Sequence, residues 1–511
     1  MTVLVALPVL LPLAAAGLSL ALGRFADVQR VIGIVVLGLI IADAVVLLWI
    51  ADGQGPLVLQ LGDWPAPIGI TLVADRLSAL LLVVSSVVTF AVLLFSIGQR
   101  ITDYGRERSS TTFHPMYMTL CAGVSMAYLT GDLFNLFVAF EIMLGSSYVL
   151  ITRRTTASRV RAGMTYVIVS LASSLLFITM LALVYASTGT VNMADLGDKV
   201  GMLPAGLQTA LALLIVIVFG IKAAMVPLHF WLPDSYPTAP APVTAVFAGL
   251  LTKVGIYALI RTQTLVFDHG QSWTLMLVIA LVTMIVGALG ALAQNDLNRL
   301  LSFLLVSHIG YMLFGLGVYD VIGLTGVILY VVHHITVQAT LFLVSGLITR
   351  HTGTVALTRM GGLLKAAPLI AVLFALPALA LAGVPPFSGF VAKLALLQAG
   401  VGAGTWMAYA VTGGAVFTSL LTLYAMARIW TRAFWGQVKA PEVDPDPTDE
   451  LVVGTATSNR PMVAATGVLV VASVVVAVLA GPLAGISGRA AEDLMDGQTY
   501  RTAVLGGATG G

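Results

Sequence analysis

Charged side chains are scarce in this chain of 511 residues. Only 9% of the residues are Asp, Glu, Lys or Arg, whereas 59% are hydrophobic and the mean hydropathy is +1.01. A soluble domain carries about 25% charged residues, so the composition excludes a water-soluble enzyme, a disordered scaffold and a nucleic-acid-binding domain. The net charge of +2 is too close to balance to indicate an anionic macromolecular partner. We therefore expect a membrane protein.

Cysteine and nucleotide-binding motifs are almost absent as well. Cys121 is the single cysteine and lies in an apolar stretch, which leaves no disulfide framework, thiolate iron–sulfur site or CxxC pair. The sequence has no Walker motif and no GxGxxG followed by an acidic contact to ribose. We therefore expect no cofactor, no metal site and no chemical reaction in this chain, which would make it part of a transporter and not an enzyme.

Long apolar runs are abundant. Fourteen of them are long enough to cross a bilayer core of roughly 30 Å as a helix, which takes about 18 residues. They predict an all-α polytopic membrane protein with about 14 transmembrane helices. The runs are 3–21, 31–51, 76–97, 114–130, 132–152, 163–188, 207–231, 241–265, 271–292, 299–318, 322–349, 369–398, 406–430 and 461–485.

Basic residues are distributed unequally between the two sets of loops. Seventeen Lys and Arg residues lie on one side, from Arg24 in the first loop to Arg460 before the last run. The other side has four, which are Lys199, Arg261, Arg489 and Arg501. Because cytoplasmic loops carry the excess of basic residues, this count predicts a multi-pass protein of the cell membrane with both termini on the extracytoplasmic side.

A few ionisable residues lie deep inside the apolar runs. A lysine at the centre of a membrane helix opposes insertion by about 2.5–3.5 kcal/mol, and such residues typically mark ion pathways. With a rise of about 1.5 Å per residue, Glu141, Lys253 and His333 lie near the middle of the bilayer. Acid, base and imidazole at similar depth are the components of a proton relay. The predicted proton-translocating residues are Glu141, Lys222, Lys253, His333, His334 and Lys393.

Two other histidines have two interpretations each. His229, near the end of its run, is either an interfacial residue or a point of proton uptake. His308 either hydrogen-bonds within the core or joins the relay. The adjacent residues His333 and His334 point about 100° apart on a helix, so we do not expect them to bind a metal together.

Helix-breaking residues interrupt two runs, and each of these runs also carries a lysine. The breaking residues are Pro227 in the seventh run and Pro385, Pro386 and Gly389 in the twelfth. In lipid a break is tolerated only where protein or water satisfies the freed backbone groups. Broken segments at matching positions in two halves indicate a transporter's ion site. Because the breaks are five helices apart, we predict two inverted five-helix repeats with helices 7 and 12 broken; two unrelated kinks are the alternative.

These repeats divide the chain into four parts. Residues 1–113 would hold helices 1–3, and residues 114–265 the first repeat, helices 4–8. Residues 266–435 would form the second, inverted repeat, helices 9–13. Residues 436–511 would contain a cytoplasmic loop, helix 14 and a C-terminal tail.

The segment LPDSYPTAPAPVTAVFAGLLTKVGIYAL, residues 232–259, carries a family resemblance. It resembles the antiporter-like subunits shared by multisubunit Mrp sodium/proton antiporters and respiratory complex I. The motifs NLFVAFEIM, LNRLLSF, SHIGYMLFGLG and GVPPFSGFVAK and the histidine pair extend this resemblance over nearly the whole chain. Within the family, DSYPTAPAPVTAVFAG is most similar to the D-type subunits of the Mrp antiporters.

The resemblance implies a fourteen-helix fold with inverted repeats, and it also implies roles for residues. Glu141 is implied to pair with Lys222, and protons are implied to pass through Lys253 and the histidines of the eleventh helix to Lys393. One position departs from the pattern, because many relatives have a lysine about one turn after the histidine pair, where this chain has Gln338. An amide cannot titrate, so the relay here is expected to depend more on the histidines and on water.

The leading interpretation is a proton-translocating subunit of a multisubunit monovalent cation (Na⁺)/proton antiporter, in which the proton gradient drives sodium export. The expected partners are the other subunits of the complex, protons, Na⁺ and the lipid bilayer, and no nucleic acid. Two alternatives remain open. One is a proton-pumping membrane subunit of a respiratory NADH–quinone oxidoreductase, and the other is a non-conducting scaffold whose buried charges only hold helices together.

Overall fold

The computed structural model describes residues 2–99, 112–152, 157–267, 273–437 and 460–506. Long apolar runs form helices in lipid because a helix satisfies its own backbone hydrogen bonds. Within these ranges, twelve helices are long and apolar enough to cross a membrane. The predicted all-α membrane class is therefore confirmed, whereas the count of fourteen spans and the inverted repeats remain predictions.

The described ranges contain the following helices. The first part comprises α1 (Leu7–Ala21), α2 (Ala26–Gln54), α3 (Arg76–Gly98), α4 (Phe113–Leu129), α5 (Leu133–Thr152), α6 (Ala157–Thr188), α7 (Met193–Val200), α8 (Ala205–Ala223), α9 (Trp231–Ser235), α10 (Ala241–Val246) and α11 (Thr252–Leu265). The second part comprises α12 (Thr274–Leu292), α13 (Leu297–Val318), α14 (Val321–Thr352), α15 (Leu363–Ala366), α16 (Pro368–Ala382), α17 (Ser388–Gly402), α18 (Trp406–Ile429), α19 (Arg460–Val478), α20 (Ala480–Asp496) and α21 (Gln498–Leu505).

Short irregular helices join some of these elements. A 3₁₀ helix, Thr2–Ala6, precedes α1, and another, Tyr236–Thr238, follows α9. A π-helical segment, Phe247–Leu251, connects α10 to α11, and a second one, Trp430–Trp435, extends α18. The sequence patterns did not predict these π segments. The first lies inside the uninterrupted run 241–265, and the second begins at the last residue of the run 406–430.

A small antiparallel hairpin lies between α2 and α3, where the sequence predicted only a connection. Its strands are β1 (Leu57–Gln60) and β2 (Thr71–Ala74), with Leu57 opposite Ala74. A two-stranded hairpin is marginal alone and needs packing against other elements. Here all four residues of β2 are buried, which provides that packing.

Three predicted runs differ from the helices observed. The seventh run, 207–231, contains α8, which ends at Ala223, and the twelfth, 369–398, contains the separate helices α16 and α17. Helices 7 and 12 are therefore broken, as predicted. The last run, 461–485, crosses from α19 into α20. The predicted cytoplasmic loop that starts at residue 436 lies, from residue 438 to 459, outside the described residues. The boundaries between the four predicted parts remain predictions.

Burial distinguishes a central group of helices from a peripheral one. The most apolar windows of α14 and of the α10–α11 helix are completely buried, and that of α13 is 94% buried. The windows of α2, α18 and α19 are only a third buried. Helices whose apolar surface is exposed in a membrane protein face lipid or a partner subunit. The helices that carry Lys253 and the histidine pair are therefore the innermost ones.

A buried ion pair connects α11 to the start of α3. Two guanidinium nitrogens of Arg261 lie 2.6 and 2.8 Å from the carboxylate oxygens of Asp75. The guanidinium also lies 5.3 Å from the ring centroid of Tyr257 and 5.0 Å from that of Tyr500. Burial acts to raise the pKa of Asp75, but the guanidinium outweighs this effect and the pKa is lowered. The prediction that Arg261 is a loop residue was wrong; its partner makes burial inside α11 possible.

The C-terminal helices α20 and α21 pack across this same face of the protein. Arg76, the first residue of α3, contacts Asp493 of α20 at 2.5 Å and Asp52 of α2 at 3.0 Å. Arg489 of α20 contacts the same Asp52 at 2.6 Å. In α21, Arg501 donates to the backbone oxygen at the end of α11, at 2.9 Å. Helices α20 and α21 therefore connect the end of α2, the start of α3 and the end of α11.

The same turn follows two of the long helices. Both α6 and α14 have 32 residues, and the sequence Thr-Gly-Thr-Val follows at 188–191 and 352–355. Gly189 and Gly353 both have a φ of 72°, a left-handed conformation that glycine adopts easily. The carbonyls of Val191 and Val355 accept hydrogen bonds of 2.9 Å from the first residues of α5 and α13. These two segments repeat each other in sequence and in hydrogen bonding.

Asp132 precedes α5 and gives the protein a pH-dependent stability. Its Oδ1 accepts a hydrogen bond of 2.8 Å from the amide of Asn135, and burial raises its pKa to about 6. An unfolded aspartate has a pKa of about 3.9, so folding favours the protonated form. The stability that this proton contributes is present at low pH and is lost as the pH rises through about 6.

Replacing Asp132 with asparagine keeps a capping side chain and removes the titration. We expect Asp132→Asn to unfold at a higher temperature than the native chain near pH 8, with a gain of at most about 3 kcal/mol. Near pH 4 the difference should disappear. Thermal unfolding in detergent at the two pH values measures this, and a gain that is the same at both would contradict the prediction.

Candidate functional site

The backbone at the first break is satisfied by side chains and turns. After Ala223 the chain reverses through Ala224, whose φ of 61° is left-handed. The amide of Val226 donates to the hydroxyl of Thr283 on α12 at 3.2 Å, and the indole of Trp231 donates to the carbonyl of Ile221 at 3.1 Å. Pro227 follows directly. These partners provide what an interrupted helix needs in lipid, and they leave Lys222 in the last turn before the break.

At the second break the lysine itself satisfies the freed carbonyls. Helix α16 ends at Ala382, and Gly383 has a φ of 84°. The ammonium of Lys393 on α17 donates to the carbonyls of Leu381 and Ala382, both at 3.0 Å, and to the hydroxyl of Ser419 at 3.0 Å. Lys222 therefore precedes the first break, whereas Lys393 follows the second.

Gly389 allows α17 to lie close to the histidine pair. A Cβ atom at this position would lie 1.9 Å from the carbonyl oxygen of Ala380 and 2.9 Å from the ring of His333. The neighbouring Ser388 forms a hydrogen bond of 2.8 Å with Nδ1 of His333. The breaking segment 385–389, which contains Pro385 and Pro386, therefore positions a hydroxyl against the relay histidine.

Glu141 and Lys222 are connected through a third residue. The hydroxyl of Ser174 on α6 donates to Oε1 of Glu141 on α5 in a short hydrogen bond. The ammonium of Lys222 on α8 donates to the same hydroxyl at 3.3 Å. Among the ion pairs between described residues, Glu141 and Lys222 do not form one. The structure has a bridge through Ser174 across α5, α6 and α8, and the pairing implied by the resemblance remains a prediction.

A cavity adjoins this bridge. Its walls include Lys222 together with the polar residues Ser170, Ser173 and Tyr166 and the indole of Trp231. It leaves about 30 Å³ for the centres of water molecules, which is enough for at least one water. Most of the cavity wall is apolar, so the Lys222 ammonium and the serine and tyrosine hydroxyls are the groups that a water there would bind.

Lys253 lies next to the π segment of the α10–α11 helix. It is completely buried, and its ammonium donates to the carbonyl of Ala248, within that segment, and to the hydroxyl of Thr252 at 3.2 Å. Single π turns occur frequently at functional sites. Gly255 allows α11 to approach the end of α8, because a Cβ there would lie 2.7 Å from the amide nitrogen of Ala223. The helix that carries Lys253 therefore packs, at Gly255, against the end of α8 at the first break.

The histidines form a cluster on α13 and α14. His308 bonds through Nδ1 to the hydroxyl of Tyr330 at 2.5 Å, and its ring centroid is 5.1 Å from that of His334. Both ring nitrogens of His334, and Nε2 of His308 and of His333, are buried without a hydrogen-bond partner among the described residues. All three side chains are inaccessible. Buried nitrogens of this kind are where ordered water is expected, so the cluster is suited to passing protons.

Two tyrosines connect this cluster to Lys393. The ring of Tyr311 stacks on that of Tyr330 with a centroid separation of 5.2 Å and an interplanar angle of 7°. The ammonium of Lys393 lies 5.0 Å from the centre of the Tyr311 ring, within the range of a cation–π contact. The structure therefore brings His308, the histidine pair and Lys393 into one group.

Gln338 and His229 lie outside this group. The amide of Gln338 donates to the carbonyl of Leu301 at 3.0 Å, and its Oε1 has no hydrogen-bond partner within the described ranges. His229 lies in the first break with its ring 6.4 Å from that of Phe303. Its imidazole interacts with the backbone of Pro227, and no hydrogen bond between described residues joins it to the predicted titratable residues. In these ranges there is also no group of three or more His, Cys, Asp and Glu side chains that could hold a metal ion.

Sequence reasoning did not find several members of the site. Ser174, Ser388, Ser419, Tyr311 and Tyr330 contact the titratable residues but are neutral and common in membrane helices. The repeated Thr-Gly-Thr-Val turns could have drawn attention to Ser174, because they allow positions on α6 and α14 to be compared. Ser174 is 14 residues before Thr188, and Gln338 is 14 residues before Thr352, so the two residues lie at the same distance along their helices from the repeated turn.

Known proteins are similar to this chain in sequence. The family model described as NADH:quinone oxidoreductase/Mrp antiporter, TM, matches residues 130–422. The chain is 44% identical over 443 residues to the Na(+)/H(+) antiporter D subunit of Alkalihalophilus pseudofirmus, an alignment that covers 86% of this chain and 88% of that relative. It is 37% identical over 445 residues to the Na(+)/H(+) antiporter D subunit of Bacillus subtilis, with coverages of 85% and 87%.

Solved structures contain the same fold. A chain in the structure of the Mrp complex from Dietzia sp. DQ12-45-1b matches with a TM-score of 0.90 and 34% identity, covering 99% of this chain and all of that chain. A chain of the membrane-bound sulfane sulfur reductase, an archaeal respiratory membrane complex, matches with a TM-score of 0.85 at 24% identity, with coverages of 99% and 100%. This second likeness concerns the fold alone.

Proposed function

Because the chain belongs to the NADH:quinone oxidoreductase/Mrp antiporter transmembrane family, we propose that it translocates protons as a subunit of a multisubunit Na⁺/H⁺ antiporter. The resemblance noted in its motifs is thereby confirmed. The high identity to two proteins named as Na(+)/H(+) antiporter D subunits supports the antiporter over the respiratory alternative. The substrates would be protons and sodium, and the partners would be the other subunits of the complex.

One observation favours transport over a scaffold role. None of the three buried lysines, Lys222, Lys253 and Lys393, forms an ion pair with a described residue. Each instead donates to hydroxyl groups or carbonyl oxygens. A buried charge that only holds helices together is expected to have a charged partner, since an unpaired one costs several kcal/mol. Ammonium groups held by neutral oxygens can release a proton without breaking an ion pair.

The proposed route follows the groups in spatial order. Protons would be exchanged between Glu141 and Lys222 and pass Lys253. They would then cross the histidine cluster and reach Lys393. Water would complete the steps between groups that do not touch, with the cavity beside Lys222 as one such position. His229 would act in proton uptake, and no covalent chemistry would take place in this chain.

The two inverted repeats and the orientation of the chain in the membrane are part of the same proposal. Residues 114–265 and 266–435 would be two inverted repeats, each with one broken helix, a proposal that the matching turns after α6 and α14 support. The chain would lie in the cell membrane with both termini on the extracytoplasmic side, since the basic residues are concentrated in the opposite loops. On this orientation α20 and α21 would face the outside of the cell.

Lys393→Met tests the function, because methionine is similar in length and apolar. The complete antiporter complex is assayed in everted vesicles by the sodium-induced change in the fluorescence of a pH-sensitive dye. We expect the exchange rate per assembled complex to fall at least roughly 100-fold, the usual scale for losing a proton-transfer group. The rate is compared per assembled complex because the carbonyls of Leu381 and Ala382 lose their lysine donor in this variant. Lys365→Met, at an exposed lysine of α15, is the matched control. Normal exchange with impaired assembly would instead support the scaffold.

A further inference from the structure

We propose that the hydroxyl of Ser174 carries the proton between Lys222 and Glu141, which makes it a third member of the first proton-handling group. This inference rests on the proposed function and adds a neutral residue to it. The observation behind it is the bridge itself. Ser174 accepts from the ammonium of Lys222 at 3.3 Å and donates to the carboxylate of Glu141.

The directions of the two hydrogen bonds are those that a transfer requires. A hydroxyl has one proton to donate and lone pairs to accept. When the ammonium of Lys222 gives a proton to the Ser174 oxygen, the hydroxyl proton passes to the Glu141 carboxylate. One N–H bond is broken, the O–H bond of the serine is re-formed, and one carboxyl O–H bond is made. The charged pair becomes a neutral amine and a neutral acid, and the serine is unchanged.

The surroundings favour this route over a direct contact. Ser174 and Lys222 are each 7% exposed, and the two charged groups approach each other from different helices, α5 and α8. The ring of Phe140 lies 5.5 Å from the ammonium. Glu141 is partly buried, and the Ser174 hydroxyl is the group that contacts both the donor and the acceptor. The cavity beside Lys222 then supplies or removes protons at the amine end.

The position on α14 at the same distance from the repeated turn supports this specialisation. Gln338 lies there, but its amide bonds to the backbone carbonyl of Leu301 and to no charged group among the described residues. An amide does not exchange a donated and an accepted proton as a hydroxyl does. Of these two positions, the one with a hydroxyl, Ser174, is therefore the one that lies between an ammonium and a carboxylate.

Thr and Val at position 174 separate the hydroxyl from the space that it fills. The two side chains are nearly equal in volume and shape, and only threonine has a hydroxyl. In vesicles containing the complete complex, we expect Ser174→Thr to retain most of the exchange rate. Ser174→Val should lose at least about tenfold, with an unchanged sodium concentration for half-maximal rate. Ser187→Ala on the same helix is the control, because that hydroxyl bonds to the carbonyl of Leu183 in its own helix.

The outcomes distinguish this inference from the proposed function. Equal exchange in the Thr and Val variants would overturn the role of the hydroxyl, whether both are active or both inactive. If Lys222→Ala retained normal exchange, the proposed function would fail regardless of position 174. If Lys222→Ala is inactive and Ser174→Val is fully active, only the present inference fails. Complex assembly, measured by co-purification of the other subunits, is followed for every variant.

Discussion

Replacing Lys222 with alanine is expected to reduce sodium/proton exchange to background while the complex still assembles. The ammonium is the charged donor to the bridge that Ser174 forms with Glu141, and alanine can neither hold nor release a proton. Assembly should survive because the freed backbone groups of the break bond to Thr283, Trp231 and neighbouring turns, and not to the lysine. Exchange is measured in everted vesicles with a pH-sensitive dye.

The control for this change is a lysine outside the membrane helices. Lys199 on α7 forms an ion pair of 2.8 Å with Asp195 one turn away and is partly exposed. A pair of this kind contributes about 0.3–0.5 kcal/mol, so Lys199→Ala should retain exchange. Glu141→Ala should behave as Lys222→Ala does. Normal exchange in either the Glu141 or the Lys222 variant, in a complex with all its subunits, would refute the proposed route.

The largest loss of stability is expected at Asp75. Asp75→Asn keeps a side chain that can cap α3, where the carboxylate now accepts from the amide of Ser78 at 2.9 Å. It leaves Arg261 buried and charged without its counter-ion. Removing one partner of a buried pair typically costs about 3–5 kcal/mol. We expect thermal unfolding of the purified chain in detergent to shift to clearly lower temperature.

Two comparisons test the cause of that loss. Asp195→Asn breaks the partly exposed pair with Lys199 and should cost less than about 1 kcal/mol. Adding Arg261→Met to Asp75→Asn removes the unpaired charge, so the double variant should be more stable than the single one. A double variant that is less stable than Asp75→Asn would show that the charge is not the source of the loss.

The class of the fold and the positions of the breaks could be predicted from the sequence, because composition and proline act locally. A run of apolar residues specifies a membrane helix whatever its neighbours are. Pro227 and Pro385 have no backbone N–H for a helical hydrogen bond, which favours a break at each of them, although Pro377 lies inside the continuous helix α16. The lysines were found for the same reason, since a charge inside an apolar run is visible without a structure. The β1–β2 hairpin was not found, because its strands are only four residues each.

The connections between the titratable groups could not be predicted in this way. Ser174 looks like any serine in a membrane helix until α5 and α8 are placed on either side of it. Arg261 was assigned to a loop because it is near the end of its run, and only the packing around α11 shows that it is buried and paired with Asp75. The orphaned nitrogens of the histidines depend on how α13 and α14 pack. These properties come from contacts between segments that are far apart in sequence.

The contacts of α20 and α21 also have a consequence for biosynthesis. A ribosome makes the N-terminal segments first, so α3 and α11 enter the membrane long before Tyr500 and Arg501 exist. During that interval the Asp75–Arg261 pair has no Tyr500 ring over it, and Arg76 has no Asp493 partner. Synthesis of α20 and α21 therefore completes the contacts at the ends of α3 and α11. A nascent protein that stops short of α21 would present unfinished helix ends to the cell's quality-control proteases.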